Sequence, residues 1–315
     1  MKKFLLKIML FVSIFVLISI SVIFLPVTPR ASKSLLFSKI NKDSLLKNVK
    51  SPRIIFIGGS NLSFGLNSKM IKESLRLNPI NTAVHAGTGF IYMLDNTLPY
   101  IQSGDIIVVA PEYDFFYGKL AYGEEELLRT ILDVSPSELW GLRIKQYANI
   151  IEYIPKYFNS KIKTSEYFDI EESVLYGIKS FNEYGDVYTH WELEKQEFPP
   201  VESIPGRFNY SVINALYDFK KSCIEKRAIL FITFPGFQSA SFENSKEKIM
   251  KVDAELKKKD INLLGTPERY SMPDSLMFNS PYHLSKKGVD YRTQLLIEDL
   301  KDALTKHTEN LQYTE

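Results

Sequence analysis

The chain has 315 residues, enough for one large folded unit or two small ones, with 45% apolar residues and a net charge of +2. Lys2, Lys3 and Lys7 carry three positive charges ahead of the first apolar stretch, so the remainder is one unit negative, which argues against a nucleic-acid partner. A single cysteine, Cys223, rules out an intramolecular disulfide, and four scattered histidines without Cys-x-x-Cys or His-Glu-x-x-His spacing predict no metal site and no cofactor.

Beyond a short tail of residues 1–7, Ile8 to Leu25 runs without a charge and Pro26 closes it. These eighteen residues cover most of a bilayer core, which takes about 20. A secretory signal core is shorter, about 7–15 residues, and ends at a small-residue cleavage site. Pro26-Val-Thr-Pro-Arg-Ala-Ser is a poor site of that kind, so the reading is an uncleaved transmembrane anchor over 8–25, with a long signal peptide as the alternative. Arg30, Lys33 and Lys39 follow the span, so the positive-inside bias is slight. The short tail makes a cytoplasmic start the simplest topology, with the main domain outside. Residues 26–50 read as a lysine-rich stalk, with Leu35, Leu36, Ile40, Leu45 and Leu46 spaced for a short helix.

From residue 51 the rhythm is strand, loop, helix. Arg53–Ile57 is an apolar strand, and Asn67-Ser68 caps a helix that Asn78-Pro79 stops. Ile80–Val84 reads as a second strand, Ile91 to Gln102 as a helix shortened by Pro99, and Ile106–Ala110 as a third strand, apolar throughout. The alternation then lapses over about 115–226, a stretch with helices expected near Glu124–Leu132, Ser137–Tyr153 and Tyr210–Lys226. It resumes with a strand at Ala228–Phe234, a helix at Ser245–Lys259, a weak strand at Asn262–Leu264 and a terminal helix at Leu284–Lys306. The pattern predicts an α/β, doubly wound parallel sheet spanning 51–310 with a helical insertion.

Ligands of such sheets gather at the carboxyl ends of the strands. The expected ends are Gly58-Gly59-Ser60-Asn61, His85-Ala86-Gly87-Thr88-Gly89 and Pro111-Glu112-Tyr113-Asp114, and His283 lies in the loop ahead of the last helix. All four patches fall on one edge. A serine on a glycine turn needs a base to become a nucleophile, and a late histidine is the usual candidate. Taken singly, Ser60 is equally a helix cap or an anion-binding turn, and His283 a hydrogen-bonded loop residue.

On these residues the chain resembles the SGNH/GDSL hydrolase superfamily over roughly 52–115 and 228–305. The resemblance implies a flavodoxin-like sheet, with Ser60 as nucleophile and its amide as an oxyanion donor. It implies Gly87 as a second donor and His283 as general base. The third donor would be an Asn, absent from Pro111-Glu112-Tyr113-Asp114, which leaves Asn61 or the His85 ring to replace it. The acid normally three residues before the histidine is here Ser280 beside Asn279, with Asp274, Asp114 or Glu112 as substitutes from other loops. Gly-Gly-Ser-Asn, Pro-Glu-Tyr and Pro-Tyr-His-Leu are most similar to a membrane-anchored bacterial envelope branch whose members O-acylate polysaccharides. That likeness implies an esterase or O-acyltransferase acting on acetyl-like esters of an envelope glycan, with a multi-span membrane acyltransferase as partner. Loss of the acid and the Asn implies the alternative, a catalytically degenerate protein that binds glycan or assists an acylation complex.

Glu112, Tyr113 and His85 are expected to line the substrate site. Tyr113, Phe115, Phe116, Tyr117 and Tyr122 offer either a sugar-stacking platform or, more commonly for such a cluster, core. His190 and His307 are expected at the surface. No phosphate loop occurs, and the Gly-x-Ser-x-Gly frame of α/β-hydrolases is absent.

Overall fold

The computed structural model describes residues 1–312. Its centre is a parallel sheet of five strands: β1 (Arg53–Gly58), β2 (Asn78–Asn81), β3 (Ile106–Ala110), β4 (Ile229–Thr233) and β5 (Leu263–Leu264), in the order β2-β1-β3-β4-β5. This is one of the two common orders of doubly wound sheets, and it places the switch point between β1 and β3. Residues of β1 alternate between two cores. Ile55 and Ile57 face α2 (Ser38–Asn48), α5 (Phe90–Thr97), α9 (Tyr210–Glu225) and α10 (Ser239–Lys258). Ile54 and Phe56 face α3 (Ser60–Ser63), α4 (Ser68–Leu75) and α11 (Lys286–Gln312). Every residue of β1 and β3 is buried, as continuous apolar strands covered on both faces must be.

At the end of the sheet opposite the glycine turns, Arg53 and Asp105 form a fully buried ion pair. The guanidinium also donates to the carbonyls of Leu46 and Tyr100, both at 2.8 Å, so no charge is left uncompensated. β2 starts and stops earlier than the sequence suggests. Beyond it, the buried Lys42 ammonium takes the carbonyls of Asn81, Ala83 and Gly185 at 3.0, 2.6 and 2.6 Å, and the Asn81 amide donates to Tyr184. α2 and the insertion together therefore satisfy the backbone groups that this edge strand turns away from β1, while the Thr82 amide still donates to the Phe56 carbonyl at 3.0 Å.

Between β3 and β4 lie α6 (Glu125–Arg129), α7 (Ile144–Ile150) and α8 (Ile154–Ile162), then mostly irregular chain to α9. The helix expected over 137–153 breaks into a 3-10 turn at Pro136–Gly141, α7 and a second short turn. His283 sits in a two-residue strand, His283–Leu284, antiparallel to Met277–Ser280, rather than in an open loop.

α1 (Lys2–Ile23) is long and apolar enough to cross a membrane. Its described side chains are exposed as far as Ser21, and Ile23 packs beside Leu127, Tyr157 and Ile154 of the insertion. The Lys161 ammonium, shared with Asp133 at 2.8 Å, donates to the carbonyls of Leu25 and Pro26, each at 3.2 Å. Thr28 donates to Glu166 at 2.8 Å, and Arg30 donates to the Ser165 carbonyl at 2.8 Å. The segment read as a stalk is thus packed along the insertion and, through α2, against the sheet.

Candidate active site

β1 ends at Gly58, and Gly59 leads into the single turn of α3 that begins with Ser60. A Cβ at Gly59 would stand 2.6 Å from Glu112 Oε1, so a larger residue there would displace that carboxylate. Glu112 arrives from the end of β3, held in register beside β1 by the pairing of Gly58 with Ala110. Its Oε1 accepts from the Ser60 hydroxyl at 3.1 Å and from the Asn61 amide at 3.0 Å. Burial pushes the Glu112 carboxyl up to about 7; the Asn61 amide and Ser60 groups pull it back, and the neighbouring Asp114 charge adds to the rise. Asp114 in turn accepts from the Tyr282 hydroxyl at 2.6 Å.

The histidine side of the site is built differently. His283 stacks on the ring of Phe64, centroids 4.2 Å apart, and Phe64 donates its amide to the Ser60 carbonyl at 2.8 Å. The histidine thus lies against the residue one helical turn beyond the serine. Its Nδ1 meets Asn279 Oδ1 at 2.8 Å, and the Asn279 Nδ2 donates to the Tyr176 hydroxyl at 3.0 Å. With the amide so oriented, the proton belongs on Nδ1 and the lone pair on Nε2, the tautomer a general base requires. Among the described residues no carboxylate backs the ring. Burial, then the nearby His190 and His85, push the His283 imidazole down to about 3, so it is neutral across the physiological range.

Several expected roles move. Asp274 accepts from Gln238 Nε2 at 2.9 Å and does not back His283. Asn61 is not free as an oxyanion donor, since its side-chain amide donates to the Ala110 carbonyl at 3.0 Å. The Gly87 amide donates to His85 Nδ1 at 3.0 Å, which makes Nδ1 the acceptor of the ring and leaves Nε2 as its donor. A Cβ at Gly87 would collide with the Glu126 carboxylate, a neighbour the sequence did not single out. Tyr113 is 1% exposed and packs edge-on to Phe237; with Phe115 and Phe116 it is core and not a sugar platform. His190 is buried, not at the surface: its Nε2 meets the Leu284 carbonyl at 3.0 Å and its ring tilts over Phe64. Glu112, expected to contact substrate, is 3% exposed and engages the serine itself. Among the described residues no group of three or more His, Cys, Asp or Glu is placed to hold a metal.

Fold and site together define an α/β protein with a central parallel sheet and a serine, a glutamate and a histidine gathered at its carboxyl edge. No family model matches the chain, and neither does any curated protein. Among solved structures, protein YxiM from Bacillus subtilis is similar at 14% identity and a TM-score of 0.37, over 80% of this chain. The chain spans 56% of the length of that structure.

Proposed function

We propose that this is a membrane-anchored SGNH-type serine esterase or O-acyltransferase acting on small acyl esters of a cell-envelope polysaccharide, outside the membrane. The observation that carries the reading is the placement of Ser60 on its glycine turn and of His283, its Nδ1 held by Asn279, against Phe64 one helical turn beyond the serine. Ser60 Oγ attacks the acyl carbon and its proton passes to a neighbouring base. His283 Nε2 is the acceptor that the family resemblance assigns, and Glu112 Oε1 is the acceptor already hydrogen-bonded to the hydroxyl. The C–O bond to the leaving alcohol then breaks, the alcohol takes the proton, and water or a sugar hydroxyl resolves the acyl-serine. A multi-span acyltransferase in the same membrane is the proposed supplier of acyl groups.

A second reading, a degenerate protein that binds glycan or assists an acylation complex, is favoured by one specific feature. Two of the donors expected to stabilise an oxyanion are occupied, the Asn61 side-chain amide by the Ala110 carbonyl and the Gly87 amide by His85. Active-site labelling separates the two. The full-length protein in detergent, treated with a fluorophosphonate and weighed intact, is expected to gain one adduct that Ser60→Ala abolishes and His283→Ala slows. A folded protein that gains none sinks the hydrolase reading.

A further inference from the structure

A cleft of about 490 Å³ separates the segment that follows α1 from the insertion. Its walls include Ala31, Leu35 and Leu36 on one side and Arg129, Asp133 and Val134 on the other. The volume lies within the ~300–1,000 Å³ usual for small-molecule sites. Two ends of this cleft are fixed by contacts already described. At the outer end, Asp133 shares the Lys161 ammonium with the carbonyls of Leu25 and Pro26, directly beyond the apolar helix. At the inner end stand His85 and Glu126, against Gly87, and Tyr176, whose hydroxyl holds the Asn279 amide that orients His283. The cleft wall therefore lies one contact from Gly87, through His85, one contact from Asn279, through Tyr176, and, through Asp133 and Lys161, beside the residues that follow the apolar helix.

We infer that this cleft admits a bilayer-borne amphiphile, an acyl ester loaded onto a membrane lipid by the proposed acyltransferase, and that Ser60 Oγ bonds to its acyl carbon as the ester C–O bond breaks and the lipid alcohol leaves with the serine proton. The catalytic part rests on the reading of Ser60 as a nucleophile; the binding part does not. Mixed walls suit such a ligand: Leu35, Leu36 and Val134 cover an apolar chain while Arg30 and Arg129 stand among the carboxylates for its polar head. The neighbouring surface agrees. Ile151, Ile162 and Phe168, on and beside the α8 segment that packs against α1, are 61%, 56% and 68% exposed. Apolar side chains bared next to a spanning helix belong at the lipid–water interface.

The test uses the full chain in vesicles of phosphatidylethanolamine and phosphatidylglycerol with a tracer of radiolabelled phospholipid. A photo-crosslinking p-benzoylphenylalanine at Val134, in the cleft wall, is expected to give lipid adducts; the same group at Tyr188, outside the cleft, is not. Leu36→Trp, which fills the cleft, should cut the Val134 adduct and lower turnover of a vesicle-borne acyl ester about tenfold. The same variant should leave fluorophosphonate labelling of Ser60 within about twofold, which also shows that it is folded. Absence of adducts at Val134, or equal loss with soluble and vesicle-borne esters, overturns the inference. Lipid adducts at Val134 in a protein whose Ser60 does not label would retain the amphiphile site and discard the hydrolase.

Discussion

The turn bearing Ser60 and the hairpin bearing His283 meet at one sheet edge but are supported in opposite ways. The serine has an ionisable carboxyl on its hydroxyl, buried and poised to about 7, whereas the histidine has a neutral amide behind it and a ring held down to about 3. In a Ser-His-Asp triad the carboxylate sits behind the imidazole and stabilises the imidazolium. Here the acid stands on the nucleophile's side. The difference teaches that a fold can bring the expected side chains together while distributing charge so that the expected division of labour is open to reversal.

The sharpest break of this asymmetry is Glu112→Gln. If the carboxylate takes the serine proton, the wild-type labelling rate rises with pH through about 7. The variant is then slower by about 10²-fold or more and shows no such rise. Stopped-time labelling across pH 5–9 measures both; a wild-type rate flat above pH 5 returns the role to His283. The complementary change is Asn279→Asp, which puts a carboxylate on the Nδ1 proton, favours imidazolium and is expected to speed labelling by about tenfold. An unchanged rate would remove His283 from the proton path.

Stability reports on the same pair through linkage. Glu112 has its folded pKa raised from 4.5 to about 7, so its contribution is fully present below about 4.5 and is lost as pH rises through about 7. His283 has its folded pKa lowered from 6.5 to about 3, so its contribution is present above about 6.5 and is lost as pH falls toward about 3. Urea denaturation at pH 5 and pH 8 is expected to show Glu112→Gln flattening the alkaline loss, and at pH 4 His283→Gln relieving the acid loss. The smallest effect should come from Tyr113→Phe. Among the described residues the buried Tyr113 hydroxyl has no hydrogen-bond partner, so removing it should leave stability unchanged or slightly raised. A large drop in the urea midpoint would mean the hydroxyl is engaged after all.

What the sequence revealed and what it hid follow from range. β1 and β3 were legible because short, unbroken apolar runs that end in glycine or proline are characteristic of strands buried on both faces. The polar turns at those ends marked Ser60 and Glu112, and the late loop marked His283. The hydrogen bond from Ser60 to Glu112 was not legible, because it depends on Gly58 lying beside Ala110 across strands that stand far apart in the chain. Asn279 stood in view near His283, but its capture of Nδ1 needs the hairpin that bends Ser280 back onto His283. The burial of His190 was hidden because its segment has no periodicity, and what buries it, Phe64 and Phe278, comes from distant parts of the chain.

Lys161 has a mechanical consequence. An ammonium shared by Asp133 and the carbonyls of Leu25 and Pro26, just past the apolar helix, with Thr28 and Arg30 fastened a few residues on, leaves no slack between that helix and the domain. If that helix spans a bilayer as proposed, the protein is a fixed bracket and not a tethered float. Under the proposed function the fold sets the height of Ser60 above the lipid, and a polymer substrate is brought down to it.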